Sequence, residues 1–342
     1  MGLLEAIGQG PDDPAREAFD RLEVELRTGL EHYWETAGRI LDNSGIVLQA
    51  PPVDYLAMAK NIFSTLFLYS YYAADIDPAR RQAYVAVNQC LRGMVTGCDN
   101  ILDDEYKQTL DTDLPRQAIR FRSVVDIMVS DRVLFELLLD LAGTTTLTAD
   151  TIRGASAASL RALTHSGAQE ASEEGGVRDI PTPEKVLAAI HHFKTGLLFQ
   201  CPWAVPAVIE ADLGQTARNL QAFLYEIGMG CQLLDDIVDL PADVRDRRYN
   251  YAWSTIYHNA DNGTRASLRA FYDPLTGDGR TMDFYTMFPH AITAVASEGR
   301  NRLQAGLNGL LKEAHQHLAA PLAAFLVQRI GADRFLPRRT VP

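Results

Sequence analysis

The chain is short of positive charge, of cysteine and of long apolar runs, and each shortage narrows what it can be. Its 342 residues carry 32 Lys and Arg against 44 Asp and Glu, a net charge of −12. Bulk nucleic-acid binding needs the opposite balance, so no nucleic-acid partner is expected. The four cysteines, Cys90, Cys98, Cys201 and Cys231, form no CxxC pair. They are expected as reduced, buried thiols, not as zinc ligands or disulfide partners. The longest uncharged stretches, 61–74 and 195–209, fall short of the ~20 apolar residues of a membrane span, and the second contains two prolines. The N-terminus shows no basic segment followed by an apolar core, so a cytoplasmic protein without an integral membrane segment is expected.

Familiar catalytic signatures are also missing. No GxxxxGK[ST], GxGxxG or GxSxG occurs in a useful setting. His191 and His192 are adjacent, and His315 and His317 are two apart, so neither pair shares a helical face as HExxH histidines do. No run alternates as a strand would.

Helical periodicity fills the space. Apolar residues recur at three- and four-residue spacing over 14–43, 53–74, 79–110, 116–142, 149–172, 183–211, 214–248, 250–260, 281–296 and 298–328. Proline and glycine punctuate between them, and Thr182 with Pro183 predicts a capped helix start. The expectation is an all-α protein: one domain over 1–342, a single large bundle of about ten helices around a central cavity. The stretch 261–280 is the least regular and predicts a mobile loop.

Two acidic clusters stand out on these helices. "GCQLLDDIVDL" (230–240) sets Asp235, Asp236 and Asp239 among Leu233, Leu234, Ile237, Val238 and Leu240. Like charges at i and i+4 destabilise a helix, and no basic residue lies between 228 and 244 to neutralise them. "GMVTGCDNILDDEYK" (93–107) repeats the pattern, with Thr96, Asp99, Asn100, Asp103 and Lys107 on one stripe. In the later helix Gln232, Asp235, Asp236, Asp239 and Asp243 form the corresponding stripe. One such pair reads best as a solvated face; two, flanked by apolar residues, point to a hard cation. Mg²⁺ held by few carboxylates completes its shell with water and phosphate oxygens, so the implied ligand is a phosphate or diphosphate. Lys194 and the group Arg245, Arg247 and Arg248 are the candidate cationic partners. Their structural alternatives are a snorkelling lysine and a basic helix C-terminus.

Together these features resemble the trans-isoprenyl diphosphate synthase family, with its all-α class I isoprenoid fold and two DDxxD-type motifs. The second motif is intact as Gly228-x3-Gln232-x2-Asp235-Asp236-x2-Asp239. The first reads Asp99-Asn100-Ile101-Leu102-Asp103, with asparagine at its second position. Lys194-Thr195-Gly196 before Leu198-Phe199 matches a segment that the family carries between them. The resemblance, over about 55–257, implies a prenyl diphosphate substrate, a homodimer, and Mg²⁺ (three ions with the diphosphate) on Asp99, Asp103, Asp235, Asp236 and Asp239. It assigns diphosphate contacts to Lys194, Gln232, Arg245, Arg247 and Arg248, and catalysis to Asp99, Asp103, Asp235, Asp239 and Lys194. Gly93, Met94, Val95 and Cys98 would border the prenyl tail. None is aromatic, which favours a C15 to C20 substrate, C20 ahead.

The departures concern the second substrate. Family members that lengthen chains grip isopentenyl diphosphate with two arginine-rich motifs. Here Ala59-Lys60-Asn61-Ile62-Phe63-Ser64 keeps only the lysine of one, and "KQTLDTDLP" (107–115) replaces the Arg-Arg-Gly of the other. Neutral or acidic residues cannot fork a diphosphate as guanidinium does. The expectation is therefore a class I terpene synthase that ionises one prenyl diphosphate and releases pyrophosphate. The alternatives are an elongating synthase that uses Lys60, Arg116 and Arg120, a prenyltransferase to a non-isoprenoid acceptor, and a silent homologue.

Overall fold

The computed structural model describes residues 2–52, 54–144, 147–272 and 282–336. Among them regular structure is helical, with no strand and one isolated bridge, Leu48 to Thr112. The main helices are α1 (Arg16–Leu41), α2 (Ile62–Ala73), α3 (Pro78–Leu102), α4 (Ile119–Thr144), α5 (Ala149–Ala171), α6 (Gly214–Val238), α7 (Leu240–Asp246), α8 (Tyr251–Asn259), α9 (Asn262–Tyr272), α10 (Pro289–Leu310) and α11 (Ala319–Ile330). Between α5 and α6 a helix opens as Pro183–Lys185, widens to a π-helix over Val186–Gly196 and closes as Leu197–Gln200. No described helix is long and apolar enough to cross a membrane.

Capping explains several starts. Asp77 accepts from the Ala79 N–H at 2.9 Å ahead of Pro78, and Thr182 accepts from the Lys185 N–H at 3.4 Å ahead of Pro183. The stretch 261–280 departs from the expected loop. Asp261 accepts from the N–H groups of Gly263 and Thr264 at 2.9 Å each and so caps α9, while 273–280 lies outside the described residues. Other expected boundaries shift too. The helix expected over 53–74 begins only at Ile62, and that over 183–211 ends at Gln200, ahead of Pro202 and Pro206. The one over 214–248 breaks at Asp239, before Pro241. No break occurs at 297; α10 runs through it, and the interruption falls at 311–318.

The chain divides into two compact units, Met1–Gly167 with Gln200–Ala222 and Leu310–His317, and Ala168–Phe199 with Phe223–Gly309 and Leu318–Pro342. In the first, α1, α2, α3 and α4 enclose Tyr33, Tyr69, Tyr71 and Tyr84, with Trp203 buried beside them. Tyr71 donates to the Pro202 carbonyl at 2.6 Å and meets Trp203 edge-on at 5.2 Å. Full burial of such side chains stabilises by about 1.5–3 kcal/mol each. A buried Arg81–Glu25 pair ties α3 to α1. The outer face of α4 exposes Phe121, Met128, Phe135 and Leu139 on one stripe.

The second unit packs Leu233, Ile237 and Leu240 against Trp253, Ile256, Phe284 and Val295. Trp253 stacks on Tyr272 at 5.7 Å and takes Phe284 edge-on at the same distance. This core fixes the end of α6, and with it the second acidic motif.

Candidate active site

Helical rotation sorts the three aspartates at the C-terminal end of α6, Asp239 being the first residue beyond it. Asp235 and Asp239, one turn apart, are exposed, whereas Asp236, about 100° around the helix, is only 1% exposed. Its Oδ2 lies 2.7 Å from His191 Nε2 and accepts the Tyr251 N–H at 2.6 Å; its Oδ1 accepts from Gln232 Nε2 at 2.8 Å. Burial pushes its pKa up, but the His191 charge and these three donors hold it below the usual carboxylate range. Asp236, expected as a metal ligand, is instead an internal brace, because its oxygens are committed to protein donors. Asn250 completes the brace. Its Nδ2 donates to the Asp236 carbonyl at 2.7 Å and to Asp243 Oδ2 at 2.8 Å, while its Oδ1 caps α8.

The π-helix supplies the neighbouring wall. A Cβ at Gly196 would overlap the Tyr225 ring, so the glycine permits a close approach to α6. There the Thr195 hydroxyl donates to Gln232 Oε1. Gln232, expected at the diphosphate, is thus held on both sides by Thr195 and Asp236. Lys194 Nζ lies 3.1 Å from Glu170 Oε1. Burial lowers its pKa, but the charges of Glu173, Glu170 and Asp243 outweigh that and raise it, so it stays a cation. His191 is a residue that sequence reading missed. It is wholly buried, and its Nδ1 has no partner.

The three arginines separate. Arg245 is exposed and pairs bidentately with its neighbour Asp246 at 2.8 and 2.9 Å. Arg247, at φ 54°, lies over the Gly175–Gly176 turn and donates to the Gly175 carbonyl at 3.2 Å, a structural duty. Arg248 is half-buried, its N–H bonded to the Asp243 carbonyl at 2.8 Å. Burial, together with the charges of Asp236 and Asp239, lifts Asp243 to about 7, against the opposing Asn250 hydrogen bond and Lys194 charge.

On α3, Asp99 is half-buried and Asp103, the C-cap, is exposed. Asn100 is buried and bonded to the backbone of Lys107 at both its amide atoms. Met94 and Val95 are half-buried and Cys98 is exposed, the one cysteine that is not buried as expected. Gly93 is a correction: a Cβ there would overlap Ser130 and approach the Tyr33 hydroxyl, so it serves the α3–α4 contact and not a tail pocket. Lys60 pairs with Asp54 at 3.1 Å. The Asn61 amide donates to the Tyr55 and Ala57 carbonyls and accepts from Arg92 at 2.9 Å. Arg120 is tied to Asp104 at 3.0 Å, while Arg116 lines a cavity of about 590 Å³ with Tyr106, Gln108 and Arg122.

Among the described residues no three His, Cys, Asp or Glu side chains group into a metal cage. Two carboxylates per helix are a hard-oxygen donor set too small to hold a cation unaided. That fits Mg²⁺, which keeps water and phosphate oxygens in its shell.

The fold is that of the trans-isoprenyl diphosphate synthases. Geranylgeranyl pyrophosphate synthase from Corynebacterium glutamicum matches with a TM-score of 0.63 at 16% identity, over 96% of this chain and 98% of its own. The corresponding synthetase from Pyrococcus horikoshii matches at 0.62 and 18% identity, over 91% and 99%. A Caulobacter crescentus polyprenyl synthase complexed with calcium and isoprenyl diphosphate matches at 0.62 and 15% identity, over 91% and 97%. In sequence, the curated geranylgeranyl diphosphate synthase of Pseudescherichia vulneris is 33% identical over 94 residues, 27% of this chain and 30% of that protein. The match thus spans less than a third of that relative's length. No protein-family model matches the chain.

Proposed function

We propose that the chain is an enzyme of isoprenoid synthesis that ionises an allylic prenyl diphosphate and transfers the prenyl group to isopentenyl diphosphate. The observation that carries this reading is the pairing of Asp99 with Asp103 and of Asp235 with Asp239, one turn apart on helices of a synthase fold. Elongation takes precedence over the cyclisation expected from the sequence because the similar proteins bear the names of geranylgeranyl and polyprenyl diphosphate synthases. In this reading Asp99 with Asp103, and likewise Asp235 with Asp239, are ligands for Mg²⁺. Bound there, Mg²⁺ would neutralise the diphosphate and act as a Lewis acid toward departing pyrophosphate. Lys194 and Arg248 add fixed positive charge at the leaving group. Apolar surface around Met94 and Val95 keeps water from the carbocation, with a C15 to C20 tail.

One observation favours a second reading, the class I terpene synthase. Lys60 is paired with Asp54, Asn61 is spent on local carbonyls, and no arginine replaces either lost motif at its own position. The proposal further takes the whole chain as one catalytic domain in the cytoplasm, consistent with cysteines that form no disulfide among the described residues. It also takes the chain as a homodimer, supported by the apolar stripe of α4.

Incubating the chain with Mg²⁺ and C10, C15 or C20 diphosphates, with and without isopentenyl diphosphate, tests it. Longer prenyl diphosphates are expected only when isopentenyl diphosphate is present. A hydrocarbon or alcohol of unchanged carbon number, indifferent to isopentenyl diphosphate, would transfer the assignment to the second reading. No turnover under any condition would overturn both.

A further inference from the structure

The asparagine at the second position of the first acidic motif has a specific partner. α3 ends with Asp103 as its C-cap and Asp104 in the left-handed region at φ 54°, and the Glu105 N–H returns to the Asn100 carbonyl at 3.1 Å. This reversal brings the backbone of Lys107 against the Asn100 side chain. Asn100 Nδ2 donates to the Lys107 carbonyl at 3.1 Å, and Asn100 Oδ1 accepts the Lys107 N–H at 2.8 Å. Both bonds are sheltered, since Asn100 is 1% exposed.

Only an amide can make this pair of bonds. An ionised aspartate is acceptor-only: it could receive the Lys107 N–H but would repel the Lys107 carbonyl. The exchange of carboxylate for amide therefore removes one negative charge from the motif and fixes the backbone of Lys107 next to it. The Lys107 side chain is largely exposed, and its ammonium rests 2.5 Å from Glu105 Oε1. The Glu105 hydrogen bond raises its pKa most, against partial burial, and the charges of Glu105, Asp99 and Asp103 add to it. The neighbouring acid, Asp104, is paired with Arg120 at 3.0 Å. A surface ion pair such as Lys107–Glu105 is worth little, so the ammonium can exchange Glu105 for a more highly charged oxyanion.

We infer that Asn100 is a positioning residue that holds Lys107 as a diphosphate-binding cation at the first acidic motif. This deepens the proposed function and rests on it, because it takes the diphosphate as the ligand. Lys107 supplies positive charge beside a motif that carries one negative charge fewer.

The test is calorimetric binding of inorganic pyrophosphate with Mg²⁺ to the full chain, beside amide exchange of 103–107. Lys107→Gln is expected to weaken pyrophosphate about tenfold, with Lys107→Arg restoring most of the loss. Asn100→Asp is expected to weaken it similarly and to speed exchange at Lys107. The double variant Asn100→Asp with Lys107→Gln should lose no more than either alone. Wild-type affinity in Lys107→Gln, or in Asn100→Asp with exchange accelerated, would overturn the inference. Absence of any binding by the unaltered chain would overturn the diphosphate reading itself, and the role of Lys107 with it.

Discussion

Nε2 of His191 and Oδ2 of Asp236 lie 2.7 Å apart, and neither side chain is open to solvent. Removing one member of such a pair strands the other in a medium that stabilises its charge poorly. His191→Ala is expected to lower stability by about 3 kcal/mol, read from denaturant midpoints. The bonds that Asp236 keeps to Gln232 and Tyr251 set the loss at the lower end of the usual range. A change within a few tenths of a kcal/mol would mean that the pair does not hold α6 to the π-helix.

The motif aspartates outside the buried brace should behave in the opposite sense. Asp235→Ala and Asp99→Ala are each expected to reduce turnover by orders of magnitude while leaving the melting temperature unchanged or raised. Each removes a like charge one turn from its partner. Near-normal turnover in both would remove them from the chemistry.

Lys194 sits where structure and chemistry overlap. Its pairing with Glu170 and the nearby Glu173 means that Lys194→Ala leaves two acids without their cation. Both a higher KM for the diphosphate and a lower kcat are expected, with kcat/KM down at least about tenfold. A change in KM alone would limit Lys194 to ground-state binding.

Met94 offers a test of the tail. Its half-buried side chain lies five residues before Asp99. Met94→Phe is expected to shift preference among C10, C15 and C20 diphosphates toward the shorter, measured as relative kcat/KM. Unchanged ranking would take Met94 out of the tail's path.

Asp126 gives a pH signature of its own. It is 1% exposed, and burial lifts its pKa to about 6 despite a hydrogen bond from Tyr106 at 3.2 Å and the Arg122 charge. Between about 4 and 6 the folded state keeps this proton while the unfolded chain has lost it. Stability should therefore fall as pH rises through that window and level off above it, by about 3 kcal/mol in all. Asp126→Asn should flatten that part of the profile. An identical slope in the variant would show that Asp126 does not carry it.

The sequence made Asp235 and Asp239 legible because the apolar residues around them obey a 3.6-residue period. The same period contained the hint about Asp236, which falls between Leu233 and Leu240 on the buried side. His191 was hidden for a different reason. Val186, His191 and Gly196 are all buried, a five-residue spacing that α-helical reading treats as noise. The start of α9 was lost because Asn262-Gly263 reads as a breaker, although Asp261 supplies an N-cap. What Asn100 does was not readable at all, since its partner is a backbone unit seven residues on.

The π-helix has a consequence for how this chain can change. Each residue advances an α-helix by about 100°, so deleting one residue within 186–196 would re-aim everything on one side of the cut relative to the other. His191 and Thr195 could not both keep Asp236 and Gln232. The segment should accept many substitutions on its outer face yet refuse any change of length, and comparisons with homologues that lack the wide turn will need a one-residue offset to bring Lys194 into register.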